Sequence, residues 1–172
     1  MRASIEQFLG QVAQRGSWVG GGSVAALSAA LSAALLEKLV HQRPSIRRLH
    51  AIRRECVALM ARDAKAFARV IRAIRSGDSR AFRRTLTAAT EIPLRVFEGA
   101  EAVQTMCRVA QRSVKPRFQS DLRCAMAVAL AAAESARTLI QTNLDWLNDP
   151  VYSRRIRHRL QVAQRYGRST AR

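Results

Sequence analysis

Three consecutive glycines, a serine and a long run of small residues restrict the fold of this chain most strongly. Gly20, Gly21 and Gly22 precede Ser23, and residues 25–36 are all Ala, Leu or Ser. Glycine lets the main chain approach a ligand more closely than any residue with a Cβ. Ser23 is well suited to cap a helix whose first free N–H groups point back to the glycines. The stretch predicts either a helix start that binds an anion or polar ligand edge, or a flexible turn before a tightly packed helix.

The remainder of the chain is also predicted to be helical, because no segment alternates with the period of two that a strand requires. Predicted helices cover 4–14, 23–40, 45–76, 79–112 and 120–147, with a sixth beginning at Asp149-Pro150. Gly77 and Asp78 fit a helix end followed by a helix cap. We therefore expect an all-α fold, a single-domain antiparallel multi-helix bundle of about six helices that covers residues 1–172. Helices two, three and five should be central, since two and five are rich in Ala and Ser.

Asp63 is the most notable ionisable residue in these patterns. It lies within an apolar stripe of the third helix that has the spacing of one buried face: Met60, Ala64, Phe67, Ile71 and Ile74. A carboxylate on such a face is costly unless it is paired or hydrogen-bonded. Asp63 is therefore either a structural acid bonded to a neighbouring helix end or a functional acid.

The net charge of +18 raises the question of a polyanionic partner, and 27 of the 30 basic residues are Arg. Nucleic acid is the obvious candidate for such a surface. Against it, the arginines are spread through every segment, aromatic residues make up only 5% of the chain, and no helix-turn-helix, zinc-finger or RNA-binding signature is present. Nucleic-acid binding is kept as an alternative that the sequence does not favour.

Cysteine usage predicts reduced thiols and no metal site. Cys56, Cys107 and Cys124 lie in apolar helical patterns and form no CxxC pair, and the histidines have no ligand spacing. We expect core thiols in a cytoplasmic protein. The apolar segment 25–36 is too short to span a bilayer, so no membrane association is expected.

Five motifs, taken in order, resemble the formiminotetrahydrofolate cyclodeaminase family, which also contains methenyltetrahydrofolate cyclohydrolases. They span residues 20–149 and are GGGSVAALSAALSAALL from Gly20, Asp63-Ala64-Lys65-Ala66-Phe67, Ala89-Thr90-Glu91-Ile92-Pro93-Leu94, Ser120-Asp121, and Asn143-Leu144 followed by Asp149.

This resemblance implies a folate one-carbon enzyme. The reaction would be cyclisation of formimino-tetrahydrofolate to methenyl-tetrahydrofolate with loss of ammonia, or hydrolysis of the methenyl form. Asp63 falls at the position of the proposed catalytic acid. Substrate binding is expected from Gly20, Gly21, Gly22, Ser23, Asp121 and Asn143. The resemblance also implies a homodimer and no tightly bound cofactor, with the tetrahydrofolate derivative as substrate.

The chain departs from the family pattern at several loop and helix-end positions. They are Val19, His41, Lys115–Gln119, Arg123 and Leu139. These departures motivate an alternative hypothesis, in which the protein has lost catalysis and retains a folate-binding or scaffold role. The second alternative is a basic nucleic-acid-binding helical protein.

Overall fold

All regular structure in the described part of the chain is helical. The computed structural model describes the main chain of residues 4–169 and the side chains up to Arg165. Its elements are α1 (Ile5–Ala13), α2 (Gly21–Leu39), α3 (Arg43–Arg75), α4 (Ser79–Ala110), a 3₁₀ turn (Pro116–Phe118), α5 (Gln119–Leu147) and α6 (Pro150–Ser169). The predicted all-α class with about six helices is confirmed.

Small side chains allow α2 to lie inside the bundle, where it contacts α3, α4 and α5. Ala29 and Ala33 of α2 are fully buried, as are Ala125 and Ala129 of α5. The Ser32 hydroxyl donates a 2.7 Å hydrogen bond to the Ala125 carbonyl, which joins the two helices through a buried polar contact. The prediction that α2, α3 and α5 are central omits α4, which contacts all three of them and α6.

The predicted caps after α3 and before α6 are present. Gly77 has φ +69°, and Asp78 accepts a 2.9 Å hydrogen bond from the Ala81 N–H. Asp149 accepts 3.0 Å bonds from the N–H groups of Val151 and Tyr152 at the start of α6. These local signals are read correctly from sequence because each depends on one side chain and the turn beside it.

The predicted start of α2 is wrong. Gly20 is the N-cap residue and the helix begins at Gly21, so Ser23 lies inside the first turn rather than at the cap. The Ser23 hydroxyl is instead directed to α3, where Asp63 and Met60 lie. A tertiary contact has displaced the local capping preference of serine.

Two sequence predictions of burial are also wrong. Phe67 and Ile74 are exposed, and the core-facing stripe of α3 consists of Leu49, Cys56, Leu59, Val70 and Ala73. Asp63 follows this stripe in helical spacing, between Leu59 and Val70. Of the three cysteines, Cys124 is exposed, whereas Cys56 and Cys107 are buried thiols.

By length and composition alone, α2 resembles a membrane-spanning helix. It has 19 residues, and 56% of its most apolar window is buried inside the fold. A core helix passes the same test, and its neighbours α3, α4 and α5 account for this burial.

Enlarging a side chain between α2 and α5 should destabilise the bundle. Ala129→Leu inserts three carbons into a fully buried position, and the free energy of unfolding should fall by about 1–3 kcal/mol. Ala131→Leu places the same residue on the exposed face of α5 and should change stability by less than about 0.5 kcal/mol. Urea titration followed by circular dichroism measures both, and equal losses would contradict close packing at Ala129.

Candidate active site

A cavity of about 250 Å³ lies where the start of α2 meets the middle of α3, the Pro93 region of α4 and the last turns of α5. The segment 17–22 contributes Ser17, Trp18 and the three glycines, and α3 contributes Asp63 and Phe67. The cavity thus joins the predicted glycine segment with the predicted acid, which are about 40 residues apart in sequence.

Asp63 approaches the start of α2 as closely as it does because residue 22 has no side chain. An ideal Cβ on Gly22 would lie 2.6 Å from Asp63 Oδ2 and closer still to Oδ1. The Ser23 hydroxyl lies 3.1 Å from Oδ2 and 3.0 Å from the Met60 carbonyl, so its single proton is shared between two acceptors. Gly20 occupies the N-cap position of α2 and has no side chain to accept a capping hydrogen bond. The Asp63 carboxyl from α3 lies at this helix end instead.

Burial is the main influence on the Asp63 carboxyl. Desolvation raises its pKa from the ordinary 3.8, and hydrogen bonds from the Ser23 hydroxyl and main chain only partly oppose this effect. Arg62 and Lys65, its basic neighbours in sequence, are both exposed. A carboxyl whose pKa is raised in this way is suited to give and accept a proton nearer neutral pH than an exposed aspartate.

Three aromatic side chains surround the opening of the cavity. Trp18 and Phe67 meet edge to face, with ring centroids 6.1 Å apart and planes at 62°, and Trp146 lines the cavity from α5. They are 43%, 43% and 49% exposed, respectively. Sequence reasoning missed both tryptophans as site residues. The available signal was their rarity, since they are the only two in the chain.

Asn143, which is predicted to bind substrate, lines the cavity from α5 together with Leu139 one turn earlier. It is half-buried, and no hydrogen bond of its amide occurs within the described residues. A partly buried amide that faces a cavity without a partner has donors and an acceptor available for a ligand. Pro93 and Ala89 line the same cavity, and Pro93 has no N–H to bond the Ala89 carbonyl.

Asp121 lies elsewhere. Its carboxylate accepts a 3.1 Å bond from Lys38 Nζ, near the end of α2 opposite to the glycines. Lys38 is 17 residues after Gly21, which corresponds to about 26 Å of helix. The structure therefore does not bring Asp121 to the cavity within one chain.

The departures from the family pattern are mostly remote from the cavity. Leu139 lines it, and Val19 lies in the segment that borders it. Arg123 and Gln119 line a separate depression with Met126 near the start of α5, so Arg123 does not obstruct the cavity in this chain.

A larger depression of about 550 Å³ lies between α4 and α6. Its acid, Glu98, is bound by Arg159 at 2.7 Å, and Arg159 is bound in turn by Glu91 at 2.7 Å. Among the described residues this depression therefore has no unpaired acid, and we take the cavity at Asp63 as the candidate active site.

A family model and a curated relative that match this chain both point to the same protein family. The family model described as formiminotransferase-cyclodeaminase matches residues 4–42 and 40–162. The formimidoyltransferase-cyclodeaminase of Rattus norvegicus is 29% identical over 181 residues, which include 92% of this chain. The chain spans only about a third (34%) of the length of that relative.

The fold also matches a solved structure. The crystal structure of formiminotetrahydrofolate cyclodeaminase from Thermotoga maritima superimposes with a TM-score of 0.88 at 20% identity. The match covers 99% of this chain and 92% of the other. At this identity, the match establishes the all-helical fold and not the activity.

A methyl group at residue 22 should disturb the site, whereas one at residue 21 should not. Gly22→Ala places a Cβ against the Asp63 carboxyl and should cost about 1–3 kcal/mol of unfolding free energy. Gly21→Ala meets only Leu139 Cδ2, at 3.7 Å, and should be neutral or stabilising by up to about 1 kcal/mol. Chemical denaturation measures both variants.

A double variant tests the cause of that loss. In an Asp63→Ala background the clash is removed, so the cost of Gly22→Ala should largely disappear. If the cost persists, the Asp63 carboxyl is not the group that excludes a side chain at residue 22.

The raised pKa of Asp63 predicts a particular pH dependence of stability. Because the folded pKa lies above the unfolded value of 3.8, the folded state retains the proton longer. The unfolding free energy of the wild type, relative to Asp63→Asn, should therefore decrease as pH rises from 3.8 through the folded pKa. Denaturation of both proteins across this range measures the difference, and an increase would mean that hydrogen bonding outweighs burial.

Proposed function

The chain belongs to the formiminotransferase-cyclodeaminase family, and on that premise we propose that it is a folate one-carbon enzyme with cyclodeaminase activity. The substrate would be formimino-tetrahydrofolate, and the products would be methenyl-tetrahydrofolate and ammonia. The observation that carries the proposal is the half-buried Asp63 carboxyl, which contacts the start of α2 and lines a cavity with an aromatic opening.

The cyclodeaminase reaction requires one proton to move between two nitrogens of the substrate. N10 attacks the carbon of the protonated formimino group, a new C–N10 bond forms, and N10 gives up its proton. The amino group on the same carbon must gain that proton before its C–N bond breaks and ammonia leaves. We assign the transfer to Asp63, which would accept the proton as a carboxylate and donate it as a carboxylic acid. A pKa raised by burial favours such a dual role.

Binding would use the polar groups of the cavity. The N–H groups of Gly21 and Gly22 have no partner within α2, because the first intrahelical bond runs from the Val24 N–H to the Gly20 carbonyl, at 3.1 Å. With the Asn143 amide and the Ala89 carbonyl, they provide both donors and acceptors for a heterocycle edge. The substrate binds as a carrier of the one-carbon unit, and the proposal involves no metal or tightly bound cofactor.

The aromatic opening supports a planar ligand. Trp18, Phe67 and Trp146 expose large rings beside the cavity, although the chain contains few aromatic residues. Exposed rings at a cavity lose water-accessible apolar area when a flat ring stacks on them. The pterin and aminobenzoyl rings of a folate have this shape.

We further propose a homodimer in the cytoplasm. The outward face of α2 contains Val24, Leu27, Leu31 and Leu35, and Leu31 and Val24 are exposed. A second copy would cover this apolar face, which a monomer leaves in water. The free thiols of Cys56 and Cys107 are compatible with a reducing compartment.

Replacing Asp63 by Asn tests the proposed reaction. The variant keeps the side-chain shape and removes the proton carrier, so kcat should fall by roughly 10²-fold or more. Formation of methenyl-tetrahydrofolate, followed by its absorbance, and ammonia release measure turnover. Asp121→Asn is a matched control that should retain kcat, because Asp121 pairs with Lys38 outside the cavity.

Other outcomes distinguish the remaining hypotheses. Hydrolysis of methenyl-tetrahydrofolate without deamination would assign the cyclohydrolase reaction to the same site. Folate binding by the wild type with turnover of neither substrate would support the inactive binding or scaffold role. An Asp63→Asn protein that folds and retains full kcat would remove Asp63 from the mechanism.

A further inference from the structure

A second concave surface between α3 and α4 is lined by positive charge. Arg62, Lys65 and Arg69 form its α3 wall, and Leu59, Ala66 and Ile92 are among its apolar lining residues. We call this surface the basic groove. It has a volume of about 290 Å³ and shares no lining residue with the cavity at Asp63.

The cations of the α3 wall are not neutralised by the fold. Within the described residues, none of the three has an ion-pair partner. The acid on the opposite wall, Glu91, is bound by Arg159 at 2.7 Å, and Arg95 beside it is bound by Glu55 at 2.6 Å. The groove therefore has a net positive charge.

Their spacing along α3 is unfavourable for the free protein. Arg62 and Lys65 are three residues apart, and Lys65 and Arg69 are four apart, so each pair of like charges lies on neighbouring turns of one helix face. Arg69 is seven residues after Arg62, so the three extend along about 10 Å of helix axis. An anionic chain along the groove would relieve this repulsion, and a concave surface of one sign concentrates such ligands.

The positive surface continues along α4 toward its N-terminus. Arg84 lies one turn before Ala88 of the groove and lines an adjacent depression with Arg80. Neither Arg80 nor Arg84 has an ion-pair partner within the described residues. Cations in the first turns of a helix oppose its dipole, which gives a second reason to expect an anion there.

We propose that the basic groove binds the phosphate backbone of a single-stranded nucleic acid. Guanidinium groups match phosphate oxygens with paired N–H donors. Axes of packed helices are only about 8–10 Å apart, so a cleft between them accepts one strand more readily than a duplex. Among the described residues no aromatic side chain lines the groove, so binding there relies on phosphate contacts, which carry no sequence information.

Salt dependence of binding to a fluorescent 20-nucleotide oligouridylate measures this interaction directly. Each neutralised phosphate of a single strand contributes a slope of about −0.7 to log K against log salt. Three contacts predict a slope of about −2 and a roughly 20-fold loss of affinity between 50 and 200 mM salt. Contributions from Arg80 and Arg84 would make the slope steeper.

A charge-matched pair of triple variants identifies the surface. Arg62→Gln with Lys65→Gln and Arg69→Gln should reduce the slope by about 2 units. Arg112→Gln with Lys115→Gln and Arg123→Gln removes the same three charges near the junction of α4 and α5, and should leave the slope nearly unchanged. Circular dichroism checks folding, and folate turnover by the groove variant should equal that of the wild type.

Several results would overturn the proposal. Equal losses in the two triple variants would mean that net charge alone attracts the oligonucleotide. Displacement of the oligonucleotide by polyglutamate at equal charge concentration would assign the groove to acidic peptides instead. Affinity below detection at 50 mM salt would leave the groove with no nucleic-acid role.

Discussion

The contact between the Asp63 carboxyl and the Gly22–Ser23 turn is the interaction on which the candidate site depends. It exists because residue 22 lacks a Cβ, which allows a side chain of α3 to occupy the end of α2. Two effects act on the carboxyl there. The helix dipole and the Ser23 hydrogen bonds favour the charged form of the carboxyl. The dipole contributes about 1 kcal/mol or less. Burial favours the neutral form, and the raised pKa shows that burial is the larger effect.

The same small side chains that build the core also assemble the cavity. Ala29, Ala33 and Ala129 are fully buried because α2 and α5 come close together. This close approach carries the start of α2 toward the last turns of α5, where Asn143 lies, and toward Pro93 of α4. A larger residue in the core would separate the two helices and widen the cavity. The same small residues therefore determine both the packing of the bundle and the geometry of the site.

Local features of the fold could be predicted from sequence, and features set by distant contacts could not. Asp78 and Asp149 cap helices as expected, because a cap needs only its own turn. Ser23 has the same capping preference, but its hydroxyl donates a hydrogen bond to Asp63. This contact joins residues 40 positions apart, so local sequence patterns do not predict it. Periodicity predicts Phe67 in the core and is wrong, because apolar residues form two overlapping stripes on α3 and spacing alone does not identify the one that packs.

Prediction of the site depended on the family resemblance more than on physical patterns. Asp63 and the glycines meet in one cavity, together with Asn143. Asp121 does not line this cavity. Its sequence pattern marks the start of a helix but does not show at which end of the bundle that helix starts. The roles of all these residues remain predictions, as does the extent of the single domain over residues 1–172. Trp18 and Trp146 are about 130 residues apart, and only the fold places them at one opening.

Helix α3 separates two electrostatic environments on its two sides. Asp63 faces a cavity, whereas Arg62 and Lys65 face the basic groove, although they are within two residues of it. Burial is the main cause of the raised pKa of Asp63, hydrogen bonds from Ser23 oppose it, and neither Arg62 nor Lys65 is among its main causes. Both cations are exposed and line the groove rather than the cavity, so the high dielectric of water weakens their field at the half-buried carboxyl. A polyanion in the groove would then leave the protonation of Asp63 nearly unchanged, and one helix can serve both surfaces independently.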